Sequence, residues 1–201
     1  MAPLNHLCLV ITIFLSVSAL SPSPTVAVIP RVPSPKVKIP SPAASSKLVV
    51  QLCSGKSIMN RRFCLKALSN PQAAAARDWN QLTNVVMKLA VSNAEATLNV
   101  IKETVKKPGG SSQSLKALQT CLDVYKYAIQ SFGMIFTELS EDPMTANYDA
   151  TVIGPEADNC ERALATANIQ APRISSGNRC LHYYSSMGGE ITAIVEITAF
   201  R

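Results

Sequence analysis

Cysteines are the residues with the plainest chemistry in this sequence. The chain has six cysteines. Cys8 lies in an apolar N-terminal segment, and the other five are Cys53, Cys64, Cys121, Cys160 and Cys180. None of them forms a C-x-x-C pair, so zinc binding and thioredoxin-type chemistry have little support. Cysteines of an exported chain form disulfides. Five cysteines make two bridges and leave one thiol, and spacing alone permits Cys160 to pair with Cys121 or with Cys180.

No group of side chains in the sequence is typical of catalysis. Apart from the N-terminal segment, the chain has a single histidine, His182. Glu156, Asp158 and Glu161 cluster around Cys160, but acids in the first turns of a helix are ordinary partners of its dipole. The GxSxG, HExxH, phosphate-loop and dinucleotide motifs are absent from the sequence. We therefore expect no enzymatic activity, no metal site and no cofactor.

The N-terminal segment has the pattern of an export signal. An apolar run covers residues 7–20 and ends in Val17-Ser18-Ala19, the small-x-small pattern of a signal peptidase site. The run is too short to span a bilayer, which needs about 20 apolar residues. We expect residues 1–19 to be a signal peptide, with an uncleaved anchor as the alternative. The chain should then be secreted and hold no membrane segment after cleavage.

Residues 20–46 have no core-forming pattern and are expected to be a linker. Seven prolines lie between Pro22 and Pro42, which favours a polyproline-like or disordered spacer. The segment is basic, and the folded part is nearly neutral, so binding to nucleic acid is not expected. A solvated tail is the plain interpretation, and weak contact with an acidic polysaccharide is the alternative.

Apolar periodicity after this linker predicts an all-α, disulfide-stapled domain over residues 47–201. A short helical hairpin is expected from pieces at 47–53 and 60–68, with Cys53 and Cys64 close enough to meet. Four long helices are expected at 77–107, 112–139, 143–166 and 175–199. Short connections make them an up-down-up-down bundle. Pro155 predicts a kink or a restart in the third long helix, and Leu115, Phe136 and Ile197 are expected on core-facing stripes.

Three segments together resemble the plant invertase and pectin methylesterase inhibitor family. They are the LC at 52–53 with FCLKAL at 63–68, ALQTCLDVY at 117–125, and ADNCE at 157–161. The resemblance covers about residues 47–197. It implies a four-helix bundle topped by a helical hairpin, bridges Cys53–Cys64 and Cys121–Cys160, and a free thiol at Cys180. It also implies a one-to-one complex that covers the cleft of a carbohydrate-active enzyme.

The resemblance leaves two target enzymes open. Family members that inhibit invertase often carry Pro-Lys-Phe at the start of the third bundle helix, where this chain has Pro143-Met144-Thr145. This departure argues against the invertase contact but does not by itself select the esterase. From the family pattern, the export signal and the lack of catalytic groups, we expect pectin methylesterase as the target, with acid invertase as the alternative and a non-inhibitory binding protein as a third. By analogy, the candidate contact residues are Tyr127, Gln130, Thr137, Pro143 and Met144.

The same resemblance sets expectations for the compartment and for other partners. We expect the apoplast or cell wall, with the vacuole as the alternative. The protein should be a monomer, or a dimer through Cys180. The acidic polysaccharide that the basic linker touches weakly would then be pectin.

Overall fold

The computed structural model describes residues 46–107 and 110–199, and all of their regular elements are helices. They are α1 (Lys47–Leu52), α2 (Arg61–Ala67), α3 (Pro71–Ala75), α4 (Trp79–Val105), α5 (Ser112–Glu141), α6 (Pro143–Thr166) and α7 (Pro172–Ala199). The predicted signal peptide and nearly all of the predicted linker lie outside the described residues.

The four long helices α4 to α7 form the predicted bundle. Each packs against the next in sequence, and α4 also packs against α7, so α5 and α7 lie diagonally opposite. A single residue, Asp142, separates α5 from α6, and a link this short makes the two helices antiparallel. The all-α, disulfide-stapled fold class is confirmed.

Local sequence signals set the starts of the long helices. The side chains of Asp78, Ser111 and Asp142 each accept a hydrogen bond from a first-turn amide of the helix that follows, as N-caps do. The predicted bounds of α6 match the structure. The short helix α3 is an addition to the predicted elements, although Asn70 caps it and Pro71 occupies its first position.

A cluster of polar groups, buried at Tyr125 and Asn178 and reaching the surface at Glu161, joins α5, α6 and α7, with α4 packed beside it. The Tyr125 hydroxyl of α5 donates to Asn178 Oδ1 of α7 at 3.0 Å. The Asn178 amide donates to Glu161 Oε2 of α6 at 2.7 Å and lies 3.5 Å from Cys160 Sγ. A Cβ at Gly177 would overlap the side chain of Thr97 on α4. Burial raises the pKa of Tyr125, so its hydroxyl stays protonated and remains a donor.

The apolar stripes agree with the structure only in part. Phe132 and Ile135 are fully buried, as their periodicity predicts, but Leu115, Phe136 and Ile197 are 45%, 46% and 58% exposed. The expectation that these three face the core is wrong. Leu115 and Ile197 lie near helix ends. Phe136 borders a groove between α4 and α5.

The N-terminal hairpin docks on α7. Cys53 and Cys64 form a disulfide with a Cα–Cα distance of 5.6 Å. The Phe63 ring lies 4.9 Å from that of Tyr183 and 5.2 Å from that of Tyr184. The amide of Ser57 donates to Glu190 Oε2 at 2.9 Å. The disulfide therefore closes the hairpin internally, and the aromatic cluster and the Glu190 carboxylate hold it on α7.

Helix α6 passes through Pro155 as one helix, so of the two expected outcomes, a kink or a restart, the restart does not occur. A hydroxyl from α7 replaces the local bonding. The Ser185 Oγ accepts from the amide of Gly154 at 3.1 Å. It also donates to the carbonyl of Ala150 at 2.7 Å and lies 3.2 Å from the carbonyl of Thr151. Proline cannot donate to its i−4 carbonyl, here that of Thr151, and Ser185 compensates for this loss.

Cys180 has no free thiol in the uncleaved chain, whereas the expectation of a free thiol concerns the chain after removal of residues 1–19. No free cysteine occurs among the described residues, and Cys180 is disulfide-bonded. The prediction rests on removing Cys8 with the export segment, which leaves an odd number of cysteines. Cys180 is also fully buried in α7, so its sulfur is not placed to link two copies of the folded domain.

Replacement of the bridging serine should destabilise the bundle. Ser185→Ala leaves the Gly154 amide and the Ala150 carbonyl without their partner, which should cost about 1–3 kcal/mol. Urea unfolding should therefore show a lower midpoint with an unchanged slope. Ser140→Ala is the control, because its exposed hydroxyl bonds only to the Thr137 carbonyl of its own helix. Equal midpoints for the two variants would contradict this role of Ser185.

The same substitution at two helical glycines should have opposite effects. Gly177→Ala places a methyl group against Thr97 and 2.6 Å from the Tyr125 hydroxyl, and such overpacking costs about 1–3 kcal/mol. At Gly133 an added methyl group would meet no atom within 4 Å, so Gly133→Ala should stabilise α5 by about 0.5–1 kcal/mol. Thermal unfolding of both variants tests this. A Gly177→Ala protein that is more stable than the wild type would refute the close packing of Gly177 against Thr97 and Tyr125.

Candidate functional site

Helix α5 presents one exposed stripe that contains three of the predicted contact residues. Tyr127, Gln130 and Thr137 are exposed, and their steps of three and seven place them on one side of a helix. Met134 lies on the same stripe and is 45% exposed, while Tyr127 is 40% exposed. The stripe faces away from the buried side of α5, where Tyr125, Phe132 and Ile135 pack. It is therefore available to another molecule.

The start of α6 extends this surface. Pro143 is half-buried at the first helical position, whereas Met144 and Tyr148 are 71% and 65% exposed. Measured along the antiparallel helices, Met134 lies eight residues before Asp142 and Tyr148 six residues after it. At about 1.5 Å per residue they reach similar heights. We call the exposed set Tyr127, Gln130, Met134, Thr137, Met144 and Tyr148 the α5–α6 face.

Asp142 fixes the turn at the end of this face. Its carboxylate accepts from the amides of Met144 and Thr145 at 3.1 and 3.3 Å and from the Thr145 hydroxyl at 2.7 Å. The Thr145 hydroxyl, together with these amides, lowers the pKa of Asp142. The carboxylate therefore stays ionised and holds α6 at a fixed angle to α5.

A pair of carboxyl groups lies beside this face at the seam between α5 and α6. Glu138 is half-buried, and its Oε2 is shielded from solvent without a hydrogen-bond donor. Burial raises the pKa of Glu138, and so do the neighbouring carboxyl of Asp149 on α6 and the charge of Glu141. The seam thus contains a carboxyl group whose charge is unfavourable in the folded state.

A disulfide joins the same two helices at their other end. Cys121 of α5 bonds to Cys160 of α6, with Cα atoms 4.5 Å apart, and both residues are fully buried. The structure thus contains the two bridges that the resemblance implies. Asp142 and the disulfide fix α5 and α6 at both ends, so the α5–α6 face is a rigid surface.

A pocket between α6, α7 and the hairpin contains the single histidine of the folded domain. It encloses about 310 Å³. His182 Nε2 lies 2.9 Å from Asp158 Oδ1, and Ser185 is nearby. A serine, a histidine and an aspartate invite comparison with a hydrolase. However, the Ser185 hydroxyl is buried and donates to a backbone carbonyl, so its proton is not directed at a base.

The described residues contain no group of three or more metal-ligating side chains that could hold an ion. Among the same residues, no helix is both long enough and apolar enough to cross a bilayer.

Comparison with known proteins agrees with this geometry. Residues 47–190 match the family model described as plant invertase/pectin methylesterase inhibitor. The chain belongs to that family. Its members are extracellular plant proteins that act as inhibitors and not as enzymes. The resemblance seen in the cysteine-containing segments is confirmed. No curated protein matches the chain.

Two solved structures share the fold. One is a mutant form, form A, of a pectin methylesterase inhibitor from Arabidopsis, with a TM-score of 0.62. The other is a pectin methylesterase inhibitor from Arabidopsis thaliana, with a TM-score of 0.55. In each case identity is 20%, and the match covers 75% of this chain and 97% of the other. At this identity the likeness establishes the fold of this inhibitor-family member and leaves its target to be argued.

Sequence reasoning missed two large residues of the α5–α6 face, Met134 and Tyr148. Both are apolar or aromatic, and both fall outside the core-facing stripes of their helices, as exposed contact residues do. A search for apolar residues off the buried stripe would have found them. Such a search needs the register of the core, which Leu115 and Phe136 obscure.

Removal of the Glu138 charge should change how stability depends on pH. A folded-state pKa above the ordinary value of 4.5 means that the stability is fully present below pH 4.5 and falls as pH rises through the raised pKa. Glu138→Gln should flatten this fall and raise the unfolding midpoint at neutral pH. Chemical unfolding from acid to neutral pH measures it, with the exposed Glu95→Gln as control. If the unfolding midpoints of wild type and Glu138→Gln change in parallel with pH, the pKa of Glu138 is not raised in the folded state.

Proposed function

We propose that this protein inhibits pectin methylesterase by forming a one-to-one complex in which the α5–α6 face covers the entrance to the enzyme's cleft. Two observations of different kinds support this proposal. The chain belongs to an inhibitor family, and the two structures described above are both pectin methylesterase inhibitors. The face itself supplies a surface suited to a protein partner.

The observation that carries the proposal is the exposure of four large side chains on two neighbouring helices. Tyr127, Met134, Met144 and Tyr148 are between 40% and 71% exposed. Aromatic residues and methionine are enriched in the buried centres of protein interfaces. Patches of such residues on a monomer surface mark sites of association. A stable complex would bury roughly 1,600 Å² in total.

The polar residues of the face match the rim of such an interface. Gln130 and Thr137 lie on the α5 stripe next to the apolar anchors and can exchange hydrogen bonds with the enzyme's surface. The rigid link between α5 and α6 lowers the entropy cost of binding, because neither helix must be ordered on contact. Binding to the cleft would then exclude the polysaccharide substrate by steric overlap.

The start of α6 favours the esterase over invertase. The exposed second residue of α6 is Met144, and Thr145 is engaged with Asp142. A lysine and a phenylalanine at these two positions, as in many invertase inhibitors, would offer a charged and an aromatic contact that this chain lacks. Acid invertase is therefore the second target to assay and not the leading one.

We also propose that the protein acts after export to the apoplast, as a monomer. The small-x-small pattern at Val17-Ser18-Ala19 supports cleavage there. The burial of Cys180 argues against a covalent dimer through that sulfur. Non-reducing electrophoresis of protein collected from the medium of secreting plant cells should show one monomeric band. A disulfide-linked dimer would contradict this.

The inhibition proposal is tested by titrating the purified protein into pectin methylesterase and, separately, into acid invertase. Esterase activity should fall in proportion to added inhibitor, while sucrose hydrolysis is unchanged. Met134→Asp and Tyr148→Asp should each weaken esterase inhibition at least about tenfold, because a buried anchor is replaced by an unpaired charge. Leu115→Asp is the control, since Leu115 is similarly exposed but lies at the other end of α5. Loss of invertase activity alone would reverse the choice of target, and no effect on either enzyme would reject inhibition.

A further inference from the structure

Charge is distributed unevenly along this chain. Residues 1–77 contain nine lysines and arginines and no acid, whereas residues 78–201 contain ten basic residues and all thirteen acids. The bundle is therefore slightly acidic, and the positive excess of the folded domain lies on the hairpin that precedes it. The composition of the whole chain conceals this contrast.

Five basic side chains decorate the hairpin, and all of them are exposed. They are Lys47, Lys56, Arg61, Arg62 and Lys66. On α2, the buried residues Phe63, Cys64 and Ala67 face the bundle, and the two arginines and Lys66 occupy the opposite side. We call these five residues the basic hairpin surface.

None of these five charges is neutralised within the described part of the protein. There the ion pairs are Lys106–Glu103, Lys126–Asp123 and His182–Asp158, all outside the hairpin. Glu190 is the acid that contacts the hairpin, and it accepts from the backbone amide of Ser57. Five unpaired cations on a hairpin fixed by a disulfide form a positive surface that attracts polyanions.

The basic hairpin surface lies away from the α5 stripe of the α5–α6 face. The hairpin packs on α7 through Phe63 and the two tyrosines, and α7 is diagonally opposite α5 in the bundle. A ligand on the hairpin therefore leaves the stripe of α5 accessible. A polysaccharide on the outer side of α2 and a protein on the α5 stripe can therefore be bound at the same time.

We propose that the basic hairpin surface binds polygalacturonate, the de-esterified form of pectin. The choice of ligand rests on the proposed function, because a pectin methylesterase converts neutral methyl esters into carboxylates along a polysaccharide. Guanidinium groups such as those of Arg61 and Arg62 bind carboxylates through paired hydrogen bonds. Phe63 is buried, so α2 offers no exposed ring on which a nucleobase would stack. The inhibitor would thus be retained where the product of its target accumulates.

The proposal is tested by affinity electrophoresis of the full protein in native gels that contain polygalacturonate or fully methyl-esterified pectin. Polygalacturonate should retard the wild type, and the methylated polymer should not. The triple variant Arg61→Gln, Arg62→Gln, Lys66→Gln should lose affinity about tenfold, as expected for three exposed ion contacts. Added salt should weaken the wild-type interaction.

A matched variant separates local binding from net charge. Lys102→Gln, Lys107→Gln, Lys116→Gln removes the same number of exposed positive charges near the ends of α4 and α5, and it should keep wild-type retardation. Equal losses in the two triple variants would overturn the proposal. The proposal would also be overturned if the wild type bound DNA or anionic phospholipid vesicles at least as strongly as polygalacturonate at the same concentration of negative charge.

Esterase assays of the same proteins keep this proposal distinct from inhibition. The hairpin triple variant should inhibit pectin methylesterase as well as the wild type does, because its changes lie on the outer side of α2, away from the α5 stripe. A wild type that binds polygalacturonate but never inhibits the esterase would reject the proposed function and leave the polyanion site standing. A wild type that inhibits but is not retarded would reject the site alone.

Discussion

The bundle depends on the polar cluster around the buried Tyr125 and Asn178, where its four long helices meet. The Tyr125 hydroxyl, the Asn178 amide and the Glu161 carboxylate form a continuous hydrogen-bonded chain across α5, α7 and α6. Gly177 brings α7 against Thr97 of α4 at the same level. Buried polar groups are costly when unpaired. A slip of any helix along its axis would separate these partners, so the cluster fixes the register of all four.

This register has consequences at the protein surface. Cys121 and Cys160 lie next to the cluster and join α5 to α6 covalently, and Asp142 joins the same helices at their other end. The positions of Met134 and Tyr148 relative to each other are therefore set by the buried disulfide and by the turn at Asp142. A surface prepared in this way binds a protein partner with little loss of conformational entropy. Helix α6 continues through Pro155, and Ser185 of α7 supplies hydrogen bonds at the point where the proline cannot donate.

Much of the fold can be predicted from the sequence, because helix starts and apolar periodicity are local properties. Asp142 followed by Pro143 predicts the start of α6 at the right residue. Local patterns cannot show which side of each helix is covered by neighbours near its ends, and for this reason periodicity wrongly assigns Leu115 and Phe136 to the core. The buried Thr97 and the close approach at Gly177 depend on contacts between distant helices. Whether Cys180 has a free thiol depends on whether Cys8 remains part of the chain. Helical periodicity does not address that question.

Protection of backbone amides in the complex tests the central claim most directly. Hydrogen exchange of the inhibitor, alone and with an excess of pectin methylesterase, can be followed for peptides that cover each helix. The account predicts slower exchange in the exposed part of α5 around Tyr127 to Thr137 and in the first turns of α6, with no change in α2. Protection confined to the hairpin or to α7, or no protection at all, would contradict the assignment of the α5–α6 face as the inhibitory surface.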